Sequence, residues 1–243
     1  MKLFADGADF DGIVEAAKDP EISGFTTNPT LMRKAGVTNY EVFARKTIDY
    51  LKNTRPETCL SLEVFADDAP EMIRQARIID SWANGYKVYI KIPVVNTKDV
   101  LMGEVIQTLS AEGIPVNVTA VLAKKQVADI LSVIDKTTDS IISVFAGRIA
   151  DLGYDTNIEM IDYSDMINEA CRNYEKRKVE LLWASPRQAY NYKEAYFVGA
   201  DIITMTPDLI KKVKGFKKKT VEQMSLETVQ MFYNDAVASG FKI

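Results

Sequence analysis

Short runs of β-branched and aromatic residues recur along the whole chain, separated by stretches with helical periodicity. Eight runs are candidate strands: Lys2–Ala5, Gly24–Thr27, Leu60–Phe65, Lys87–Pro93, Val116–Val121, Ile141–Ala146, Val179–Ala184 and Ile202–Met205. Helical spacing of apolar residues is clearest in Pro70–Asn84, Asp99–Glu112 and Lys124–Asp135. Parallel strands joined by crossover helices produce this alternation, so the pattern predicts an α/β fold.

The number of units and the chain length together favour a closed barrel. The chain has 243 residues, and a (β/α)₈ barrel takes about 250. An open doubly wound sheet is the alternative, but no GxGxxG or GxxxxGK[ST] motif supports a nucleotide-binding version. We therefore predict a single (β/α)₈ TIM-barrel domain over residues 1–243, with an extra C-terminal helix over about 225–239.

Two features of the composition exclude common kinds of chemistry. The chain has no histidine and two cysteines, which removes Ser-His-Asp and Cys-His catalysis and the usual zinc sites. The net charge of −4 argues against a nucleic-acid partner. No apolar run approaches the roughly 18 residues of a membrane span. We expect a cytoplasmic protein with no membrane association and no cofactor, in which catalysis uses Lys, Asp, Glu, Tyr, Ser or Thr, or a metal held by oxygen ligands.

Polar residues occupy one side of several candidate strands that should otherwise be apolar. Alternate residues of a strand point to opposite sides, and strands in a barrel are buried on both. In four strands one set of alternate residues is apolar, and this set identifies the side that faces the helices. The other parity directs five polar residues into the barrel: Glu63, Lys91, Asn117, Thr119 and Ser143. Each lies late in its strand, where barrel active sites form, as do Asp6, Asn28 and Ser185 at other strand ends.

A buried lysine among carboxylates and without histidine has two interpretations. Lys91 and Glu63 could be a buried ion pair that only fixes the barrel register. Alternatively, the Lys91 amine attacks a ketone or aldehyde and forms a Schiff base, which can accept electrons when a neighbouring C–C bond breaks. Glu63 would then be a proton shuttle and Asp6 a base for the substrate hydroxyl. The number of inward polar groups favours the second interpretation.

Two arginines follow neighbouring strands at the same rim. Arg148 comes just after the sixth candidate strand and Arg187 just after the seventh, with Ser185 close by. An arginine after a strand is often only a surface ion pair. Two at one rim favour recognition of a phosphate, because the guanidinium fork matches phosphate oxygens.

Several segments carry a resemblance to a known family. Gly24-Phe-Thr-Thr-Asn-Pro-Thr30 resembles the G-x-TTNP-[ST] signature of transaldolases, and Tyr89-Ile-Lys-Ile-Pro93 resembles their Schiff-base strand. Asn117-Val-Thr119, Ser143-Val-Phe-Ala-Gly-Arg148 and Ala184-Ser-Pro-Arg187 are similar to three further segments of that family in the same order. The resemblance covers nearly the whole chain.

This resemblance implies a metal-independent class I enzyme that transfers a dihydroxyacetone unit in the pentose phosphate pathway. The implied donors are sedoheptulose 7-phosphate or fructose 6-phosphate, and the acceptors erythrose 4-phosphate or glyceraldehyde 3-phosphate. It assigns catalysis to Lys91, Glu63 and Asp6, and phosphate binding to Arg148, Ser185 and Arg187. The implied substrate-binding residues are Thr26, Asn28, Asn117, Thr119, Ser143 and Phe145.

The small transaldolases include a branch of fructose-6-phosphate aldolases, which is the alternative activity. That branch carries glutamine in place of Glu63 and tyrosine in place of Phe145, so the residues found here favour the transaldolase branch. An inactive phosphosugar-binding barrel is the alternative of another class. Three departures, at Gly7, in Val94–Lys98 and at Pro186, lie at the predicted pocket rim and concern the choice of substrate.

The C-terminal segment differs from the rest. Ser225–Ser239 reads as a helix with Ser225 as N-cap and Gly240 near its end. We expect its apolar stripe to pack on its own barrel; contact with a neighbouring subunit is the alternative. The resemblance implies a homo-oligomer, as a pentamer or decamer ring. A lysine cluster at 211–219 is interpreted as a solvated helix end and loop, with attraction of anionic substrates as the minor alternative.

Overall fold

The structure, a computed structural model, describes residues 1–216 and 218–242. Lys217 of the lysine cluster therefore lies outside the described residues. Eight strands are present in the described chain: β1 (Lys2–Asp6), β2 (Ile22–Thr26), β3 (Cys59–Glu63), β4 (Lys87–Pro93), β5 (Val116–Val121), β6 (Ser140–Val144), β7 (Val179–Trp183) and β8 (Ile202–Met205). Every candidate strand is confirmed, with ends that shift by at most two residues.

The strands form one closed parallel barrel in the order β1 to β8, and β8 pairs with β1. This confirms the predicted (β/α)₈ fold. The helices of the described chain are α1 (Phe10–Ala17), α2 (Pro29–Lys34), α3 (Tyr40–Thr54), α4 (Ala69–Ser81), α5 (Gly103–Ala111), α6 (Lys124–Val133), α7 (Ala146–Asp151), α8 (Thr156–Cys171), α9 (Asn191–Phe197), α10 (Pro207–Lys214) and α11 (Val221–Ser239). No helix within the described ranges is long and apolar enough to cross a membrane.

Apolar side chains form two separate cores. The larger one lies between the strands and the surrounding helices and contains the residues of apolar strand parity, such as Leu62, Ile90 and Val118. A smaller cluster contains Phe4, Cys59, Tyr89, Ile141, Leu182, Ala184 and Ile202, with Phe145 packed against it. The smaller cluster fills the barrel interior below the inward polar residues, so it forms an apolar floor beneath them.

Local sequence explains where many of the helices begin. Five start after an aspartate or asparagine whose side chain accepts a hydrogen bond from a backbone N–H in the first turn: Asp9, Asn28, Asn39, Asp68 and Asp155. Such caps satisfy donors that the helix itself leaves unpaired. Three of these caps, Asp9, Asn28 and Asp68, closely follow the ends of β1, β2 and β3, so they hold loops at the C-terminal rim of the barrel.

The C-terminal helix departs from its prediction at two points. Its N-cap is Thr220, whose hydroxyl accepts from the backbone N–H of Gln223, while the Gln223 side chain returns to the Thr220 N–H. The predicted cap at Ser225 is therefore wrong, because a capping box begins five residues earlier. The interpretation that the helix packs on its own barrel is also wrong. None of its 19 residues is buried, and the apolar side chains of Phe232 and Tyr233 are exposed.

Candidate active site

A cavity of about 470 Å³ opens at the C-terminal end of the barrel. Its lining contains eleven of the twelve residues proposed from the sequence: Asp6, Thr26, Asn28, Glu63, Lys91, Asn117, Thr119, Ser143, Phe145, Arg148 and Ser185. Arg187 is absent from this lining. The remaining lining residues are Pro29, Thr30, Leu31, Ala120, Leu182, Ala184 and Thr204. The structure thus brings polar groups from all eight strand ends into one cleft.

The centre of the cavity is a lysine held by two acceptors. The Nζ of Lys91 lies 3.0 Å from Oε2 of Glu63, and it donates to the backbone carbonyl of Thr27 at 2.8 Å. Strand register produces this contact, because Glu63 of β3 and Lys91 of β4 are paired residues. The Lys91 side chain is only 8% exposed and that of Glu63 is 17% exposed. An ammonium in this position has both its charge and part of its hydrogen-bonding capacity satisfied.

A second carboxylate comes from the end of β1, two strands away from Glu63 of β3 in the barrel. Asp6 accepts a hydrogen bond from the hydroxyl of Thr26 at 2.8 Å, and Thr26 in turn is 2.5 Å from the hydroxyl of Thr204. Burial raises the pKa of Asp6, while the Thr26 hydrogen bond and the charge of Lys91 oppose that rise. A raised pKa makes the Asp6 carboxylate a stronger base than an ordinary aspartate.

Three hydrogen-bonded side chains form the wall on the other side of Lys91. Asn117 is in register with Lys91, donates from Nδ2 to the hydroxyl of Ser61 at 3.2 Å, and accepts from the hydroxyl of Ser143 at 2.7 Å. The buried hydroxyl of Thr119 has no hydrogen-bond partner among the described residues. An unpaired hydroxyl in a polar cavity is costly without a ligand or water, so Thr119 is a donor available to a bound molecule.

The rim of the cavity combines an amide, an aromatic ring and a cation. The Oδ1 of Asn28 caps α2 by accepting from the N–H of Leu31 at 2.9 Å, so its amide nitrogen remains for other contacts. The guanidinium of Arg148 lies 5.6 Å from the centre of the Phe145 ring. The charge of Arg148 acts on the nearby Asp151 carboxylate, but that carboxylate is paired with Arg187, so the Arg148 guanidinium remains available to an anion.

Arg187 has a different arrangement from the one predicted. Its Nε donates to Oδ1 of Asp151 at 3.0 Å and its Nη2 donates to Oδ2 of the same carboxylate. Its Nη1 donates to the hydroxyl of Ser185 at 3.1 Å. Arg187 therefore reaches the cavity through Ser185, which lies in the lining, rather than by facing the cavity itself.

Sequence reasoning missed three contributors to this site. Thr204 has the same inward parity as the other polar residues, but the short run Ile202–Met205 contains only one polar residue and gave no clear signal. Ser61 shares the inward parity of Glu63 on the same strand, and it supports Asn117 by accepting a hydrogen bond from its Nδ2. The Thr27 carbonyl could not have been found, because the contact of a backbone oxygen with Lys91 depends on the tertiary structure.

This site defines a class: a parallel (β/α)₈ barrel with a buried lysine, two carboxylates and a cationic rim at its C-terminal end. The model of the Transaldolase/Fructose-6-phosphate aldolase family matches residues 3–243. The chain therefore belongs to the transaldolase/fructose-6-phosphate aldolase family, whose members are aldolases and transferases.

Full-length relatives support this membership. A "Probable transaldolase" of Parvibaculum lavamentivorans is 32% identical over 243 residues and covers 100% of both chains. A protein of the same name from Chelativorans sp. is 33% identical over 245 residues, again with 100% of both chains covered. A third, from Nitrosopumilus maritimus, is 32% identical over 88% of this chain and 87% of its own.

Solved structures show the fold alone. A structure described as "Native KDPGal structure" is 11% identical with a TM-score of 0.54, and covers 98% of this chain and 97% of its own. A dihydrodipicolinate synthase from Rhodopseudomonas palustris is 15% identical with a TM-score of 0.51, and covers 84% of this chain and 69% of its own. Both similarities are to the barrel scaffold.

Proposed function

We propose that this protein is a transaldolase that transfers a dihydroxyacetone unit between phosphosugars through a Schiff base on Lys91. The observation that carries the proposal is the buried amine of Lys91, 3.0 Å from Glu63, above an apolar floor and below a cationic rim. The donor is a ketose phosphate such as fructose 6-phosphate or sedoheptulose 7-phosphate. The acceptor is erythrose 4-phosphate or glyceraldehyde 3-phosphate.

The reaction begins when Lys91 loses a proton and its Nζ attacks the ketose carbonyl at C2. Glu63 lies at hydrogen-bonding distance from Nζ, so it can pass protons to the departing hydroxyl, which leaves as water when the iminium forms. Asp6 then takes the proton of the C4 hydroxyl. The C3–C4 bond breaks, its electrons move to the iminium nitrogen, and the aldose leaves while a three-carbon enamine stays on Lys91.

The second half of the reaction reverses these steps on the acceptor. The enamine carbon attacks the acceptor aldehyde, Asp6 returns the proton to the new alkoxide, and water hydrolyses the iminium. The polar wall is suited to hold sugar hydroxyls, since Asn28, Asn117 and Ser143 supply amide and hydroxyl groups around the lysine. The rim residues Arg148 and Ser185 would receive the phosphate, with Arg187 behind them.

Fructose-6-phosphate aldolase activity is the second candidate, because the family contains both reactions. Glu63 and Phe145 favour transfer. Phe145 is half-buried in the lining and carries no hydroxyl that could hold a water near Lys91. A bound enamine that meets little ordered water persists until an acceptor sugar arrives. These residues therefore favour transfer over release.

Acceptor dependence separates the two activities. The purified protein is incubated with fructose 6-phosphate, with and without erythrose 4-phosphate, while sedoheptulose 7-phosphate and free dihydroxyacetone are both measured. We expect sedoheptulose 7-phosphate with the acceptor and little free dihydroxyacetone without it. Steady release of dihydroxyacetone in the absence of acceptor would instead identify an aldolase. No conversion of either kind would leave the inactive binding barrel as the better account.

A further inference from the structure

The cationic rim is built from two segments, the helix α7 and the residues after β7, which are joined at two points. Arg148 and Asp151 lie on α7, which follows β6, whereas Ser185 and Arg187 lie in the segment after β7. Asp151 holds Arg187 by two hydrogen bonds, one of 3.0 Å from Nε to Oδ1 and one from Nη2 to Oδ2. This is the two-bond geometry in which an arginine–carboxylate pair has the best defined orientation.

Backbone packing forms the second connection between these two segments. A Cβ on Gly147 would lie 1.8 Å from the carbonyl oxygen of Ser185, so the two backbones are in direct contact. Ser185 has a positive φ of 60°, a backbone conformation that residues other than glycine rarely adopt. The backbone of Ser185 is thus fixed by Gly147, while the direction of its hydroxyl depends on what contacts the side chain.

Arg187 determines that direction. Its Nη1 donates to the oxygen of the Ser185 hydroxyl at 3.1 Å. A serine oxygen that accepts from arginine keeps its own proton for a different acceptor. Because Ser185 lines the cavity, the direction left for that proton is toward the cavity, where it is available to an anionic oxygen of a bound molecule. The guanidinium also adds positive charge behind the hydroxyl, which strengthens a hydrogen bond to an anion.

We propose, building on the proposed function, that Asp151 is a positioning residue for the substrate phosphate, acting through Arg187 and the Ser185 hydroxyl. The Arg187 side chain is 47% exposed and that of Asp151 is 53% exposed. Without the carboxylate, the long Arg187 side chain has freedom to leave Ser185. The competing effect is electrostatic, because Asp151 reduces the positive charge of the rim and its removal could attract a phosphate.

Schiff-base trapping with two ketones measures the phosphate contribution separately from the chemistry. The half-saturating concentration for borohydride trapping is measured with fructose 6-phosphate and with dihydroxyacetone, which has no phosphate. For Asp151→Ala and Asp151→Asn we expect the fructose 6-phosphate value to rise about 3–10-fold, the range for a lost charged hydrogen-bond partner. The dihydroxyacetone value should stay within about 2-fold, which also shows that the variants are folded. For Asp151→Glu, which keeps the carboxylate, we expect a smaller rise in the fructose 6-phosphate value than for Asp151→Ala.

A matched control and a double variant make the test specific. Arg77 and Glu112 form a pair of the same geometry outside the cavity lining, with Nε–Oε2 at 3.0 Å and Nη2–Oε1 at 2.5 Å, so Glu112→Gln should change neither value. Arg187→Ala should raise the fructose 6-phosphate value, and adding Asp151→Ala to it should have no further effect. An unchanged or lower fructose 6-phosphate value in Asp151→Ala would overturn the proposal.

Binding of inorganic phosphate, measured by calorimetry, keeps the two proposals distinguishable. We expect weaker phosphate binding by Asp151→Ala and unchanged binding by Lys91→Ala. If wild-type protein is trapped by neither ketone, the Schiff-base function fails, while the phosphate titration still decides the role of Asp151. Equal phosphate affinity of the wild type and Asp151→Ala would contradict the positioning role whatever the trapping shows.

Discussion

Asp6 is the residue at which burial and the proposed chemistry conflict. Its folded-state pKa is raised, chiefly by desolvation. The contribution of such a group to the stability of the fold is complete at pH values below its unfolded-state pKa, near 3.9. This contribution is lost as the pH rises through the folded-state pKa. The wild type therefore loses stability, relative to a variant without this carboxyl group, as the pH rises and the buried group ionises.

Asp6→Asn should separate stability from activity. The amide can still accept the Thr26 hydrogen bond but cannot ionise, so we expect a higher Tm than wild type at pH 7–8 and a difference that shrinks toward pH 4. Each kcal/mol gained corresponds to about 2–4 °C. Transfer activity should fall at least about 100-fold because the base is lost. Thermal melts across this pH range check the sign, and a wild type more stable than the variant at pH 8 would contradict it.

Thr119 offers a related test without a change of charge. Its hydroxyl is buried and has no protein partner within the described part of the chain. Thr119→Val keeps the shape and removes the hydroxyl, so we expect unfolding free energy equal to wild type or higher by about 1 kcal/mol. Turnover should drop, because the hydroxyl is available only to substrate or water. Urea titration and steady-state assays on the same preparation measure the two effects.

At the scale of elements, the sequence predicted most of the scaffold and much of the site. Strand positions and inward parity depend on local alternation, and that pattern placed Glu63, Lys91 and Asn117 correctly in the barrel interior. The orientation of Arg187 could not be predicted, because it depends on Asp151 at the end of α7, 36 residues away. The start of α11 was missed because two potential caps, Thr220 and Ser225, compete within six residues.

Arg55 is the residue on which the β2 end of the scaffold most depends. Its Nη1 donates to the carbonyls of Ala17 and Asp19 at 2.7 and 2.8 Å, and its Nη2 donates to that of Ile22 at 2.8 Å. Arg55→Ala removes this shared donor from all three carbonyls, of which that of Asp19 still accepts from the Ile22 N–H. We therefore expect a loss of about 2–4 kcal/mol in unfolding free energy. Arg45→Ala, which removes an exposed ion pair with Glu41, is the control and should cost under about 1 kcal/mol. Similar losses for both variants would contradict this role.

At the scale of the whole molecule, α11 is the element that the single chain does not explain. None of its 19 residues is buried, and the large apolar side chains of Val229, Phe232 and Tyr233 are each at least 60% exposed. Exposed apolar surface of this extent marks an interaction site. Together with the resemblance to ring-shaped small transaldolases, it leads us to propose that α11 packs against a second copy of this chain.

Analytical ultracentrifugation tests this assembly. We expect wild-type protein to sediment as a closed homo-oligomer, and the double substitution Val229→Glu, Phe232→Glu to shift it to smaller species with an unchanged circular dichroism spectrum. Lys242→Glu, a charge change outside the apolar stripe, should leave the sedimentation profile as it is. A wild type that sediments as a monomer at micromolar concentration would contradict the proposal.

The central claim is that Lys91 forms the covalent intermediate. The measurement is borohydride reduction in the presence of fructose 6-phosphate, followed by intact-protein and peptide mass spectrometry. We predict one adduct with the mass of a reduced dihydroxyacetone unit, located on the peptide that contains Lys91 and lost in Lys91→Ala. The remaining lysines of the chain, including the exposed Lys211 and Lys212, act as internal controls. No adduct, or an adduct that persists in Lys91→Ala, would contradict the account.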